Sequence, residues 1–366
     1  MSKNVLAPKL LRRGFEIFAG ISLIGFLAVL LYTGDLEAFV RSLGGIRWGW
    51  ILVGVGLASM DWIGGGLRLW VVARQVHPDP PLGGMILAGG MSAWAAYLTP
   101  LQSGAAPMMV YTMKRYGVPV PVAMTSTLMT FIATVAFFAI AGPLAIVAGA
   151  GKSLGEKGNL LGLSLYDLFL GSLSIFAGLG VILVLVIFFP RVARNVLYWL
   201  TDLIGRRSER LSRRLDRLRA GIDQAHESAA RFNTPRGWLS LLWATMLSAP
   251  SHANKLLAGY VALRVVGIEA QFVDILLVQT LVMFLLYFAP TPGASGVAEV
   301  TSALVMSVYV PSQLVPLYTV VWRAILSYFT LAFGALVFYM WLRGGARELE
   351  EDTAESAAAV VVESGG

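Results

Sequence analysis

The 366-residue chain contains no cysteine. That removes disulfide scaffolds, thiol catalysis and thiolate-ligated zinc or iron–sulfur centres, and leaves the redox compartment open. Histidine is nearly as scarce. His77, His226 and His252 are the only three, too few for a histidine-built metal site. Charge is thin too, at 13% of residues, where a soluble domain carries about 25%. There is no phosphate-binding loop, no HExxH pair and no nucleophile motif. Gly54-Val-Gly56 lies inside an apolar run rather than after a strand, so it is no dinucleotide fingerprint. Neither an enzyme nor a cofactor or metal is expected.

What the chain has in abundance is apolar surface, at 57% hydrophobic residues and a mean hydropathy of +0.72. Runs long enough to span a bilayer, roughly 20 residues, recur at 15–32, 48–72, 120–149, 168–190, 238–262 and 316–342. Two more apolar stretches, 83–113 and 272–309, are broken midway by proline and glycine. The sequence therefore predicts an all-α, polytopic integral membrane protein with residues 1–342 as a single transmembrane domain. It has six full spans plus two re-entrant hairpins, or eight spans if each broken stretch crosses. No small-x-small cleavage site follows the first run, which reads as an uncleaved span.

The basic residues orient the chain. With the N-terminus in the cytoplasm, 21 of the 28 lysines and arginines fall on that side, which also returns the C-terminus there. The net charge of +7 is thus a topology signal rather than a nucleic-acid footprint, and the expected location is the cell membrane. Eleven arginines lie in 191–236, where Leu211, Leu215, Leu218, Ile222 and Ala225 repeat at amphipathic helical spacing. This basic loop is either a helix lying on the anionic inner leaflet or a cytoplasmic connector whose arginines fix topology. The tail 343–366 is acidic and of low complexity, with the composition of a disordered segment.

The two broken stretches resemble each other. Tyr97, Pro100, Ser103-Gly104 and Val118-Pro119 answer to Tyr287, Pro290, Ser295-Gly296 and Val310-Pro311. The offset is 190 at first and 192 later, so the second copy carries two extra residues. Breaks at membrane depth leave backbone groups that lipid cannot satisfy, so they survive buried in protein or facing a water-filled cavity. Paired breaks in two inverted halves point to a transporter's binding site. The ionisable residues in apolar runs are the other candidates. Glu299 follows Gly293 and Gly296 at a helix start, either pairing with Arg323 or simply capping the helix. Arg323 is either a headgroup-phosphate ligand or an interfacial arginine. Arg68, two turns beyond Asp61, either reaches phosphate or anchors at the interface. Lys255, with His252 and Asn254, follows Pro250 and is placed on the same cavity.

At these breaks the chain resembles the flippase-like transmembrane domain of lysylphosphatidylglycerol synthases, over most of 1–342. The specific stretches are Pro290-Thr-Pro-Gly-Ala-Ser-Gly-Val-Ala-Glu299 and Trp322-Arg323. Thr99-Pro100-Leu-Gln-Ser-Gly104 and Lys114-Arg115-Tyr-Gly-Val118 match more loosely, and Ala105-Ala106-Pro107 departs from the family's usual glycine and polar residue. The resemblance implies a translocase that moves a lipid with an anionic or zwitterionic headgroup, phospholipid or polyprenyl-linked, between leaflets. The chain leaves no room for the soluble synthase domain, which argues against synthesis of aminoacylated lipid. The alternative is a non-transporting scaffold that binds lipid or a partner lipid-modifying enzyme through the basic loop. A homo-oligomer fits either reading.

Overall fold

The computed structural model of the chain describes residues 8–33, 36–147, 230–287 and 289–341, with Glu227, Arg343 and scattered positions between 159 and 199. Most of the apolar run 168–190 lies outside the described residues, as does most of the basic loop with its leucine repeat and the tail beyond Arg343. Apart from a two-residue pairing of Asn159–Leu160 with Leu163–Ser164, the described elements are helical. They are α1 (Pro8–Thr33), α2 (Leu36–Ser42), α3 (Trp48–Ala58), α4 (Met60–Ala73), α5 (Leu82–Leu98), α6 (Ala105–Arg115) and α7 (Val120–Val147). After the basic loop come α8 (Pro235–Ser251), α9 (Ala253–Val265), α10 (Phe272–Tyr287), α11 (Val297–Met306) and α12 (Val315–Arg323).

Four helical stretches are long and apolar enough to cross a membrane: Leu11–Thr33, Trp48–Ala73, Val120–Leu144 and Ser312–Trp341. Each coincides with an expected span. The last contains α12 and a π-helical stretch at Ala324–Tyr328. A fifth expected span is the pair α8–α9. Its start follows from sequence, because the Thr234 side chain accepts a hydrogen bond from the Gly237 N–H at 3.0 Å and Pro235 occupies the first turn. Pro250 then kinks the helix just before it ends. Exposed leucines and isoleucines such as Ile24, Leu31 and Leu52 face outward, the inverse of a soluble surface.

The two broken stretches are hairpins that return to the side they enter. In the first, α5 and α6 flank a short turn, Pro100–Gln102, and Gly84 at the start of α5 packs on Tyr116 just past α6. In the second, α10 and α11 flank Pro292–Ala294. Tyr309, just past α11, donates a 2.6 Å hydrogen bond to Asp274 at the start of α10. The returning arms have 11 and 10 residues. At about 1.5 Å per residue they reach roughly half of a ~30 Å hydrocarbon layer.

The halves are inverted copies. Both crossing helices break at a single residue, α3–α4 at Ser59 and α8–α9 at His252. The two broken helices then run antiparallel against each other. Arg47 N–H donates to Val265 C=O, Asn254 reaches Asp61, Arg68 reaches Ser248 and Ser240 reaches Val71. Because α4 and α9 point in opposite directions, the hairpins that follow them enter from opposite sides and meet tip to tip, with Gly293 packed on the Tyr97 carbonyl.

Candidate functional site

Each hairpin tip is built on left-handed backbone. Leu101 (φ 51°) and Gln102 (φ 55°) hold that conformation in the first tip, Gly293 (φ 55°) and Ala294 (φ 55°) in the second. These positions correspond at an offset of 192, which places the two extra residues at Thr291-Pro292. Three of the four are not glycine, and a non-glycine residue there costs about 1 to 2 kcal/mol. Such strain persists only where the surroundings fix it, and it clusters at functional sites. Gly104 closes the first turn, its N–H donating to Thr99 Oγ1 at 2.8 Å.

Two adjoining cavities lie at the tips, sharing Tyr97, Gln102, Lys255 and Tyr287. The first, between the tips, includes Thr99, Thr291 and Gly293 in its wall and encloses about 470 Å³ not filled by protein, its open mouth included. The second is larger, about 950 Å³ on the same measure, and gathers polar side chains in a partly apolar wall. Its wall holds Asp61, Arg68, Ser92, Thr127, Thr130, Thr134, Ser251 and His252. An apolar bundle that keeps so many polar side chains together around open space has the makings of a binding site.

Where the cavities join, Asp61 and Lys255 form an ion pair of 2.6 Å, their side chains 3% and 15% exposed. Asn254 donates to the other Asp61 oxygen at 2.8 Å. The Tyr97 hydroxyl donates to the Leu326 carbonyl at 2.7 Å and lies 3.3 Å from Asp61. Arg68 is not Asp61's partner. Gly64, Gly65 and Gly66 lie between them within the continuous helix α4. They allow close packing on both sides, since a Cβ on Gly66 would meet the Ile86 backbone at 2.2 Å and one on Gly64 the Ser251 backbone at 2.8 Å. Arg68 donates instead to Thr134 Oγ1 at 2.7 Å and Ser248 Oγ at 3.1 Å.

Glu299 and Arg323 do meet, as the sequence allowed, but in a sealed place. The Arg323 Nε–Glu299 Oε1 distance is 2.9 Å, with both side chains 1% exposed. Its alignment makes it an ion pair more than a hydrogen bond. Glu299 also accepts from the Gly296 N–H at 2.7 Å and from the Ser22 hydroxyl. Arg323 donates to the Gly293 carbonyl at 3.2 Å, and its guanidinium lies over Phe18 and Tyr328. The pair therefore ties the second tip to α12 and α1, and neither residue lines the two cavities.

Of the residues singled out from sequence, Arg68, Tyr97, Lys255, Tyr287 and Gly293 line the cavities. Gly104, Gly296, Glu299 and Arg323 shape or hold the tips, while Pro100 and Pro290 are exposed at the turns. The threonines of α7 and Ser22 went unnoticed. Thr127, Thr130 and Thr134 share one helical face, and that spacing was the available signal. Among the described residues no cluster of three or more metal-ligating side chains occurs.

Over residues 17–334 the sequence matches the family described as the lysylphosphatidylglycerol synthase TM region. The chain belongs to that family. The match takes in both broken helices, both hairpins, α12 and the following residues up to Gly334, so the whole site lies in the family's own region. Comparison with curated proteins gave no match.

Proposed function

We propose that this protein of the lysylphosphatidylglycerol synthase TM-region family is a lipid translocase of the cell membrane. Its substrate is a lipid with an anionic or zwitterionic headgroup. The observation that carries this reading is the pair of adjoining cavities, holding Arg68, Asp61 and Lys255, where the two inverted hairpins meet. The headgroup enters the polar space while the acyl chains stay in the bilayer, and Arg68, Lys255 and Tyr287 line its route. Glu299 and Arg323 hold the second tip in shape beside it.

The test is headgroup exchange between leaflets in vesicles of phosphatidylglycerol and phosphatidylcholine. The protein should accelerate it, and Lys255→Met together with Asp61→Asn should abolish the acceleration without preventing reconstitution. A scaffold acting through the basic loop gives the opposite pattern. No exchange occurs in the vesicles, and lipid or partner binding is lost on neutralising the arginines of 206–219.

A further inference from the structure

Arg68 is a buried cation in direct contact with no carboxylate among the described residues. It is 8% exposed and forms no ion pair among the described residues. Asp61, the acid that shares its cavity, is committed to Lys255, Asn254 and the vicinity of Tyr97. His252, the imidazole in the wall, faces the Ser248 carbonyl through Nδ1 at 2.8 Å. The cavity thus holds one positive charge in excess. Arg68 places one nitrogen on Thr134 and Ser248, and its Nε has no hydrogen-bond partner.

Two hydroxyls in the same wall are also unpartnered. Thr127 Oγ1 and Thr130 Oγ1 are buried without a hydrogen bond, and Thr130 is 2% exposed. An isolated buried charge is costly, as is each buried polar group left unpaired. Here the three residues that carry such atoms line one cavity, and all three atoms can donate. A planar guanidinium flanked by hydroxyl donors matches a tetrahedral oxyanion.

We propose that Arg68, Thr127 and Thr130 form a binding site for a phosphate group in the larger cavity, without using the Asp61–Lys255 pair. This deepens the translocase reading, on which the lipid origin of the phosphate rests. The same chemistry also fits free inorganic phosphate, and the experiment separates the two.

Binding to the purified full chain in maltoside is measured by calorimetry with three probes: dihexanoyl phosphatidylglycerol, dihexanoylglycerol and inorganic phosphate. Wild type should bind the phospholipid and not the neutral glyceride. Arg68→Gln should weaken binding about tenfold or more, the loss expected of a hydrogen bond to a charged group. Thr130→Val should weaken it by a smaller factor while raising the melting temperature, because it removes an unsatisfied hydroxyl. A merely structural threonine would not give that combination. Arg74→Gln, beyond the cavity, serves as the control that leaves binding intact. If Arg68→Gln fails to fold, Thr130→Val and Arg68→Lys decide the matter.

Phosphate binding without phospholipid binding, still dependent on Arg68, leaves the oxyanion site standing and removes the lipid reading. No binding of either phosphate probe overturns the site, as does unchanged affinity in both Arg68→Gln and Thr130→Val. Headgroup exchange that persists in vesicles under those last outcomes leaves the translocase standing without this site.

Discussion

Two buried arginines show how differently the same side chain can be used. Arg323 is closed off by Glu299, the Gly293 carbonyl and two aromatic rings, so its charge is answered from within the protein. Removing one partner of such a pair leaves the other buried and uncompensated, at a cost of about 3 to 5 kcal/mol. Arg323→Ala and Glu299→Gln should each lower stability by that order, and Glu299→Gln combined with Arg323→Met should regain much of it. Thermal unfolding in detergent measures all three, and a double variant no better than the single ones would count against the sealed-pair account. From sequence the meeting of Glu299 and Arg323 was legible as one of two options, because both are rare charges in apolar runs. The pairing of Asp61 with Lys255 was not. Asp61 and Arg68 stand on one helix, and only the packing of α9 on α3 and α4 shows that the nearer partner comes from another element.

At the level of elements, the tips decide the fold's character. Gly293 takes left-handed backbone, and a Cβ there would meet Phe18 at 2.7 Å and the Tyr97 carbonyl at 3.0 Å. Gly293→Ala should therefore destabilise the protein by about 1 to 3 kcal/mol. Its neighbour Ala294 has the same φ with a Cβ in place, so Ala294→Gly should be neutral or stabilising by up to about 1 kcal/mol. Melting temperatures of the pair check the sign, and a loss in both variants would refute the strain argument. Both hairpins were legible because proline and glycine punctuate them at matching intervals. The break at His252 was announced by Pro250. The break at Ser59 was not, since no proline precedes it and its neighbours suit a continuous helix.

For the whole molecule, the positions of the hairpin ends give the sharpest check on topology. The chain has no native cysteine, so any introduced thiol is alone. Gly83→Cys and Lys114→Cys should react with a membrane-impermeant maleimide from one side, Val273→Cys and Ser307→Cys from the other. Gly83 and Lys114 labelled from opposite sides would mean that the first stretch crosses rather than returns. Four of the expected spans and the inverted relation of the two breaks were legible in run lengths and charge bias. How the halves interlock was not, because periodicity within a helix carries no record of which other helix lies against it.

Asp61 and Asn254 each stand two residues beyond the break in their own half, and they touch. Corresponding points of two inverted copies can meet only on the axis that relates them. A rotation that swaps the halves carries every other pair of equivalents through space but leaves that contact where it is. There the twofold rule is broken chemically, with a carboxylate on one side and an amide on the other, so exchanging the two halves would not restore the same contact.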